Sequence, residues 1–315
     1  TEWDFINNDG ETQNEPTDPE SAHNHGTYTT TTLGGAFEGQ LYGPAYEAEF
    51  LLAKTEDVGQ EEPIEEDWYV AGLEWGELLG ADVASSSLGY IDWYTFDDLD
   101  GETAVTTIAV TIAIENGMTV TTAAGNYGEN GIIAPADAFD VITCGAVNVD
   151  GEIAGFSSHG PTADGRIKPD VCAQGVNTYC ANIDGPSSYR TANGTSLSTP
   201  LVGGAVAIIL SARPNWTPYM IREALMMTAD NVDNPDNQYG WGTIDIMAAI
   251  DYFSISGDVN NDAVLDVLDL VLIVNFILGP ELPTEEQLNI ADINNDGILD
   301  VIDLVQLVAI IIGES

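Results

Sequence analysis

Residues 193–200 have the sequence Asn-Gly-Thr-Ser-Leu-Ser-Thr-Pro and join a glycine turn to a strongly apolar segment. That segment, residues 197–212, predicts a buried helix with Pro200 in its first turn, where proline is tolerated, and Pro214 beyond its end. A serine at the start of such a helix exposes its hydroxyl, and its backbone N–H points to where an oxyanion would form. Ser196 is therefore a candidate nucleophile. The alternative is that a serine or threonine here only caps the helix.

Upstream segments alternate between helix-like and strand-like patterns. Apolar residues recur three and four positions apart in residues 66–79 and 103–116, which predicts two helices. Short apolar runs that predict strands occupy residues 81–86, 119–123 and 140–147. This alternation predicts an α/β fold in which a parallel sheet is flanked by helices.

Composition narrows the possible functions. The 315 residues include 52 Asp and Glu but only 6 Lys and Arg, so the formal net charge is −46, and 44% of the residues are hydrophobic. Such a chain can fold around a core, but its surface repels phosphate backbones and anionic lipids, so no nucleic-acid partner is expected. No apolar run approaches the roughly 20 residues that span a bilayer, so no membrane span is expected. The three cysteines are too few for a disulfide-built fold; Cys172 and Cys180 either pair or remain buried thiols.

Residues 257–315 contain an internal repeat with a period of 34 residues, and the change of pattern near residue 253 predicts a separate, small all-α domain. Each copy carries Asp or Asn at loop positions 1, 3, 5, 9 and 12. These residues are Asp258, Asn260, Asp262, Asp266 and Asp269 in the first copy, and Asp292, Asn294, Asp296, Asp300 and Asp303 in the second. Oxygen ligands at this spacing wrap a Ca²⁺ ion, so each copy is predicted to be a calcium loop followed by a helix. The alternative is a pair of solvated acidic turns.

The two loops differ at position 6, which is Gly297 in the second copy and Ala263 in the first. A sharp turn with positive φ costs a residue that has a Cβ about 1 kcal/mol. The first loop is therefore expected to bind calcium more weakly.

Two further groups are of the kind that a serine nucleophile needs. His25 is a candidate general base, and only His23 and His159 are available as alternatives. Asn126 follows a predicted strand and offers a side-chain amide that can donate to an oxyanion.

The motifs HGT around His25, AGN around Asn126 and GTSLSTP around Ser196 resemble those of the subtilase family of serine proteases and occur in that family's order. The resemblance covers roughly residues 1–250 and implies a subtilisin-like fold and a serine endopeptidase that acts on protein or peptide substrates. It implies that Ser196 attacks the scissile carbonyl and that His25 transfers the proton. Asn126 and the Ser196 N–H would then hold the oxyanion.

The same resemblance implies a set of substrate-binding residues. One segment would pair with the substrate backbone as an added strand, and a second would complete a pocket for the side chain before the cut. The small residues in these walls favour a medium or large apolar side chain. The set consists of Ser87, Leu88, Gly89, Ala123, Ala124 and Gly125.

The triad aspartate of the family has no counterpart in this sequence. In the family it precedes the histidine, at the end of a strand in a D-[ST]-G-like setting. None of the 24 residues before His25 has that context, so Asp4, Asp9 and Asp18 are predicted not to be triad members. We interpret residues 1–252 as a truncated peptidase domain that lacks its first strand and catalytic Asp. The alternative is a catalytically inactive subtilase-fold binding or scaffold protein.

Residues 257–315 resemble a type I dockerin, which implies a Ca²⁺-folded docking module whose partner is a cohesin-like domain. Taken with the protease motifs, this implies an extracellular protein, either secreted or attached to a cell surface. Loop positions 10 and 11 are the recognition positions of cellulosomal dockerins and often hold Ser or Thr. Here they are Val267 and Leu268 in the first copy, and Val301 and Ile302 in the second. These pairs either face an apolar partner or pack internally.

Overall fold

The computed structural model describes all residues except Thr17, Pro186, Ser254, Ala263, Glu281, Asn295, Glu314 and Ser315, together with the side chains of Glu285 and Glu286. The strands are β1 (Glu2–Asp4), β2 (Ala36–Phe37), β3 (Leu41–Tyr42), β4 (Leu52–Lys54), β5 (Val83–Ser86), β6 (Thr119–Ala123), β7 (Ile142–Val147), β8 (Val171–Gln174), β9 (Thr178–Ala181) and β10 (Tyr189–Ala192). The α-helices are α1 (Ala22–Gly34), α2 (Ile64–Leu78), α3 (Val105–Glu115), α4 (Thr195–Ala212), α5 (Pro218–Met227), α6 (Ile246–Asp251), α7 (Val267–Leu278), α8 (Glu285–Ala291) and α9 (Val301–Ile311).

The chain separates into two compact units. The first comprises Thr1–Ala212 and Thr217–Ala249, and the second comprises Arg213–Trp216 and the residues from Ile250 onward.

A parallel four-stranded sheet in the order β5-β6-β7-β8 forms the centre of the first unit. Every residue of β6 and β7 is buried. Helix α4 packs against both strands, and α3 packs against β6. Val120 packs in one cluster with Val110 and Ile114 of α3, whereas the next residue, Thr121, faces Gly203 of α4. Successive residues of a strand point to opposite faces, so α3 and α4 lie on opposite sides of the sheet. The predicted α/β fold, a parallel sheet flanked by helices, is confirmed.

Three smaller pairings complete the first unit. Strands β1 and β4 form a second, separate parallel pair, and β2 with β3 and β9 with β10 form antiparallel pairs. Helix α1 packs against both α4 and β9. All three cysteines are buried free thiols, so the alternative of a Cys172–Cys180 disulfide is wrong for this structure.

The predicted helix over residues 197–212 is longer than expected, which corrects the position of Pro200. Helix α4 begins at Thr195, so Pro200 is its sixth residue and lies inside the helix rather than in its first turn. By length and composition alone α4 could cross a membrane, but 67% of it is buried within the protein, as in a core helix.

The second unit is helical around its own small core. Helices α7 and α9 pack together, and Val259, Ile273, Ala291 and Leu307 are fully buried between the elements of this unit. The helical prediction for the C-terminal region is confirmed.

A buried ion network links β8 to its surroundings in the first unit. The fully buried Asp170 accepts from Lys168 Nζ at 2.7 Å and from Arg222 Nη2 at 2.5 Å. Burial alone would raise the pKa of Asp170, but the charges of Arg222 and Lys168 and the hydrogen bonds it accepts outweigh burial, so this pKa is lowered. Burial lowers the pKa of Lys168 to about 8.

We predict that Asp170→Asn lowers the free energy of unfolding by about 3–5 kcal/mol, because it leaves buried cations without their carboxylate. The matched control is Asp164→Asn, which removes a partly exposed partner of Arg166 at 2.7 Å and should cost at most about 1 kcal/mol. Urea unfolding measures both values.

The contribution of Asp170 to the free energy of unfolding should also depend on pH. Because the folded pKa of Asp170 is lowered, this contribution should be complete well above pH 3.8 and disappear as the pH falls through the folded pKa. Equal losses of unfolding free energy in Asp170→Asn and Asp164→Asn would contradict the prediction that the buried network contributes more than the exposed ion pair.

Candidate active site and calcium loops

Ser196 is the second residue of α4 and lies at the carboxyl edge of the sheet. The residue is 9% exposed, and its hydroxyl donates to the backbone oxygen of Ser87 at 3.4 Å. Pro200 has no N–H, so the carbonyl of Ser196, four residues earlier, lacks its usual helical donor. The hydroxyl of Ser87 supplies that donor at 2.9 Å. The segment after β5 therefore holds the backbone of Ser196 directly.

Asn126 approaches the same turn from the end of β6. Its Oδ1 accepts hydrogen bonds from Thr195 N at 2.9 Å and from Thr195 Oγ1 at 3.1 Å. Its Nδ2 donates to no group in the described part of the chain and would lie 3.8 Å from a Cβ built on Gly194. The amide is thus fixed through its oxygen, with its N–H groups available next to the Ser196 turn.

His25 lies in the first turn of α1, the helix that packs against α4. Burial lowers the pKa of its imidazole below the ordinary 6.5, which keeps the ring neutral at pH 7. Within the described residues, His25 makes no hydrogen bond to Ser196. The fold brings together the helices that carry the two residues, but it does not join their side chains.

The three aspartates that precede His25 in the sequence make contacts with other residues. Asp4 is fully buried, and Asp4 and Asp18 each contact Lys54 Nζ at 2.8 Å. Asp9 exchanges backbone hydrogen bonds with Asp4. These contacts give the three aspartates structural partners near β1.

The two predicted walls of the pocket follow β5 and β6 on the same edge. Gly125 adopts a φ of +110°, and a Cβ there would approach Ser158 Oγ to 2.8 Å, so glycine is required. Ala123 and Ala124 are buried, and Ser87, Leu88 and Gly89 are partly buried. The side chain of Ile133, which the sequence analysis did not single out, lies against both Gly89 and Gly125.

A serine at the start of a buried helix, beside a strand-end amide on a parallel sheet, places a candidate nucleophile next to a candidate oxyanion donor. Comparison with known families specifies the class further. The chain belongs to the Subtilase family, which matches residues 2–242, and a Dockerin type I domain matches residues 256–311.

Individual relatives agree with this assignment. The chain is 37% identical over 186 residues to subtilisin E of Bacillus subtilis (strain 168), covering 58% of this chain and 44% of that protein. It is 32% identical over 263 residues to the serine protease AprX of the same strain, covering 73% and 58%. The chain thus spans less than half the length of subtilisin E.

Solved structures share the fold. The self-cleaved protease domain of PatA superimposes with a TM-score of 0.62 at 23% identity, covering 72% of this chain and 82% of that one. Fervidolysin from Fervidobacterium pennivorans, a keratinolytic enzyme related to subtilisin, gives a TM-score of 0.61 at 25% identity, covering 79% and 38%.

In the second unit, the two predicted calcium loops have matching hydrogen-bond patterns. The position-12 carboxylates, Asp269 and Asp303, are fully buried and accept from backbone N–H groups of their own loops. The described residues offer neither of them a Lys, Arg or His partner. Asp266 and Asp300 cap α7 and α9. Loops with oxygen ligands alone, in which the described residues give Asp269 and Asp303 no cationic partner, fit a hard divalent cation.

Loop position 6 is described in the second copy only. Gly297 adopts a φ of +83°, the conformation predicted for that turn. Ala263, on which the prediction of weaker calcium binding by the first loop rests, lies outside the described residues.

The four residues at loop positions 10 and 11 are exposed, which answers whether they pack internally. Val267 and Leu268 are 62% and 55% exposed, and Val301 and Ile302 are 61% and 50% exposed. Both copies therefore present an apolar pair at the start of their helix.

We predict that Ser87→Ala lowers the free energy of unfolding by about 1–3 kcal/mol, because the carbonyl of Ser196 loses the side-chain donor that replaces the missing Pro200 N–H. The control is Ser211→Ala on the exposed side of the same helix, where the hydroxyl donates to Ile208 O at 2.7 Å; about 0.5 kcal/mol or less is expected. Urea unfolding measures both variants. A Ser87→Ala effect as small as the control would show that this donor is dispensable.

Proposed function

We propose that this chain is part of an extracellular serine endopeptidase that hydrolyses peptide bonds through an acyl-enzyme. The observation that carries the proposal is the position of Asn126, whose amide oxygen is bound by Thr195 so that its N–H groups stay free beside Ser196. Family membership supports the reaction type.

In the proposed mechanism, Ser196 Oγ attacks the scissile carbonyl and His25 accepts its proton. The developing oxyanion accepts from the Asn126 amide and from the Ser196 N–H. His25 then protonates the leaving amine, and water hydrolyses the acyl-enzyme by the same route in reverse. The neutral state that burial favours for His25 suits the first of these proton transfers.

The third triad residue is proposed to be an Asp in a strand that precedes Thr1 in the natural polypeptide. Two observations support this assignment. Asp4 and Asp18 both contact Lys54, so these carboxylates already have a structural partner. Strands β4 and β5 are edge strands of two separate parallel sheets, so a further strand could pair with either of them. Residues 1–252 would then be the peptidase domain without that strand.

A fluorophosphonate probe, which labels activated serines, should modify Ser196 in the natural polypeptide that includes the upstream residues. Ser196→Ala should abolish the labelling, and His25→Ala should lower kcat by a factor of about 10²–10⁴ with little change in KM, because proton transfer acts in the transition state. Mass spectrometry locates the label, and peptide hydrolysis gives the rates.

The same experiment has two contrary outcomes. An unchanged kcat in His25→Ala would mean that His23 or His159, rather than His25, acts as the general base. Absence of both labelling and hydrolysis would identify a non-catalytic subtilase-fold scaffold instead.

For residues 257–315 we propose a calcium-dependent docking module that binds a cohesin-like domain. Asp258, Asn260, Asp262, Asp266 and Asp269 would hold one ion, and Asp292, Asn294, Asp296, Asp300 and Asp303 the other. The bound cations would offset the mutual repulsion of these carboxylates. The exposed apolar pairs at positions 10 and 11 would contact the partner.

Calcium should stabilise the second unit by about 2.7 kcal/mol at 100 times its Kd, and excess chelator should remove much of the helical circular dichroism of α7 and α9. Calorimetric titration of the full chain should show two sites, with the Gly297 loop filling first. Asp262→Ala and Asp296→Ala should each remove one site, whereas Asp150→Ala, which removes an exposed carboxylate from the first unit, should remove neither. Helix content that chelator leaves unchanged would contradict the calcium assignment.

A further inference from the structure

Ile133 occupies the space between the two pocket walls. Its Cδ1 lies 2.5 Å from the position that a Cβ on Gly89 would take, and 3.4 Å from that of a Cβ on Gly125. One side chain therefore reaches from the wall after β5 to the wall after β6. It is only 8% exposed, so it fills this space rather than extending into solvent.

The backbone around Ile133 is hydrogen-bonded to both walls, which fixes the point from which the side chain extends. Its N–H donates to Ala124 O at 3.3 Å in the second wall. The next residue, Ala134, exchanges two hydrogen bonds with Tyr90, directly after Gly89, at 2.7 and 3.0 Å. A large substrate side chain could enter only if these backbone contacts broke or if Ile133 left its packed position, and both cost free energy.

We infer that Ile133 closes the bottom of the pocket for the substrate residue before the cut, and that the enzyme selects small side chains such as Gly, Ala or Ser there. The inference rests on the proposed function, because it concerns the substrate of that same site. This inference contradicts the expectation from the sequence that a medium or large side chain fits the pocket. That expectation was based only on the small residues of the walls. Among hydrophobic side chains, one excess methylene group in a filled pocket costs about 10–200-fold in kcat/KM.

The test uses the natural polypeptide and blocked peptide p-nitroanilides that differ only in the residue before the cut: Ala, Val, Leu or Phe. The wild-type protein should cleave the Ala peptide with a kcat/KM at least about 10-fold higher than that for the Phe peptide. Ile133→Gly should raise the ratio of kcat/KM for the Phe peptide to kcat/KM for the Ala peptide by about 10–100-fold. Ile133→Val should raise the same ratio by less. The ratio within one variant is independent of how much of that variant is folded.

Ile273→Val is the matched control, because Ile273 is fully buried in the core of the second unit with Val259 and Leu307 and should leave the ratio unchanged. A ratio that stays at the wild-type value in both Ile133 variants, while the fluorophosphonate probe still labels Ser196, would overturn this inference and leave the proposed function intact. Absence of labelling and of hydrolysis of every peptide would overturn the proposed function and the inference with it.

Discussion

The burial of β6 and β7 on both faces is the constraint on which the rest of the first unit depends. Strand β6 lies between α3 and α4, and β7 packs against α4, so neither strand can shift its register without moving buried side chains to the opposite face. The carboxyl ends of β5 and β6 are thereby held at one edge of the sheet, beside the first turn of α4. Ser87, Asn126 and Ser196 come from three distant parts of the sequence and meet only because that edge is fixed.

Much of this architecture could be predicted because it follows from periodic patterns. The apolar spacing in residues 66–79 and 103–116 located α2 and α3 to within two residues, and the strand over residues 119–123 coincides with β6. In the second unit, the repeated ligand spacing identified two loops whose hydrogen-bond patterns match. Each of these features is encoded within a short window of sequence, where local geometry decides the outcome.

Other features depend on contacts between distant segments, so no local pattern encodes them. Ile133 lies in a segment without regular structure, and its importance arises only where the chain crosses between Gly89 and Gly125. The apolar pattern predicts a helix that begins at Leu197, but α4 begins at the polar residue Thr195, so Pro200 lies beyond the first turn. The donor role of Ser87 depends on a contact between distant segments, since it supplies the hydrogen bond that Pro200, four residues after Ser196, cannot donate.

The hydrogen bond from Ser87 to the Ser196 carbonyl spans 109 residues of sequence. A contact of this separation requires closure of a long loop, so it forms after the local helices and turns. The sheet edge after β5 must be in place before the first turn of α4 has all its hydrogen bonds. A partly folded chain in which that sheet edge has not formed therefore leaves the Ser196 carbonyl without the Ser87 donor.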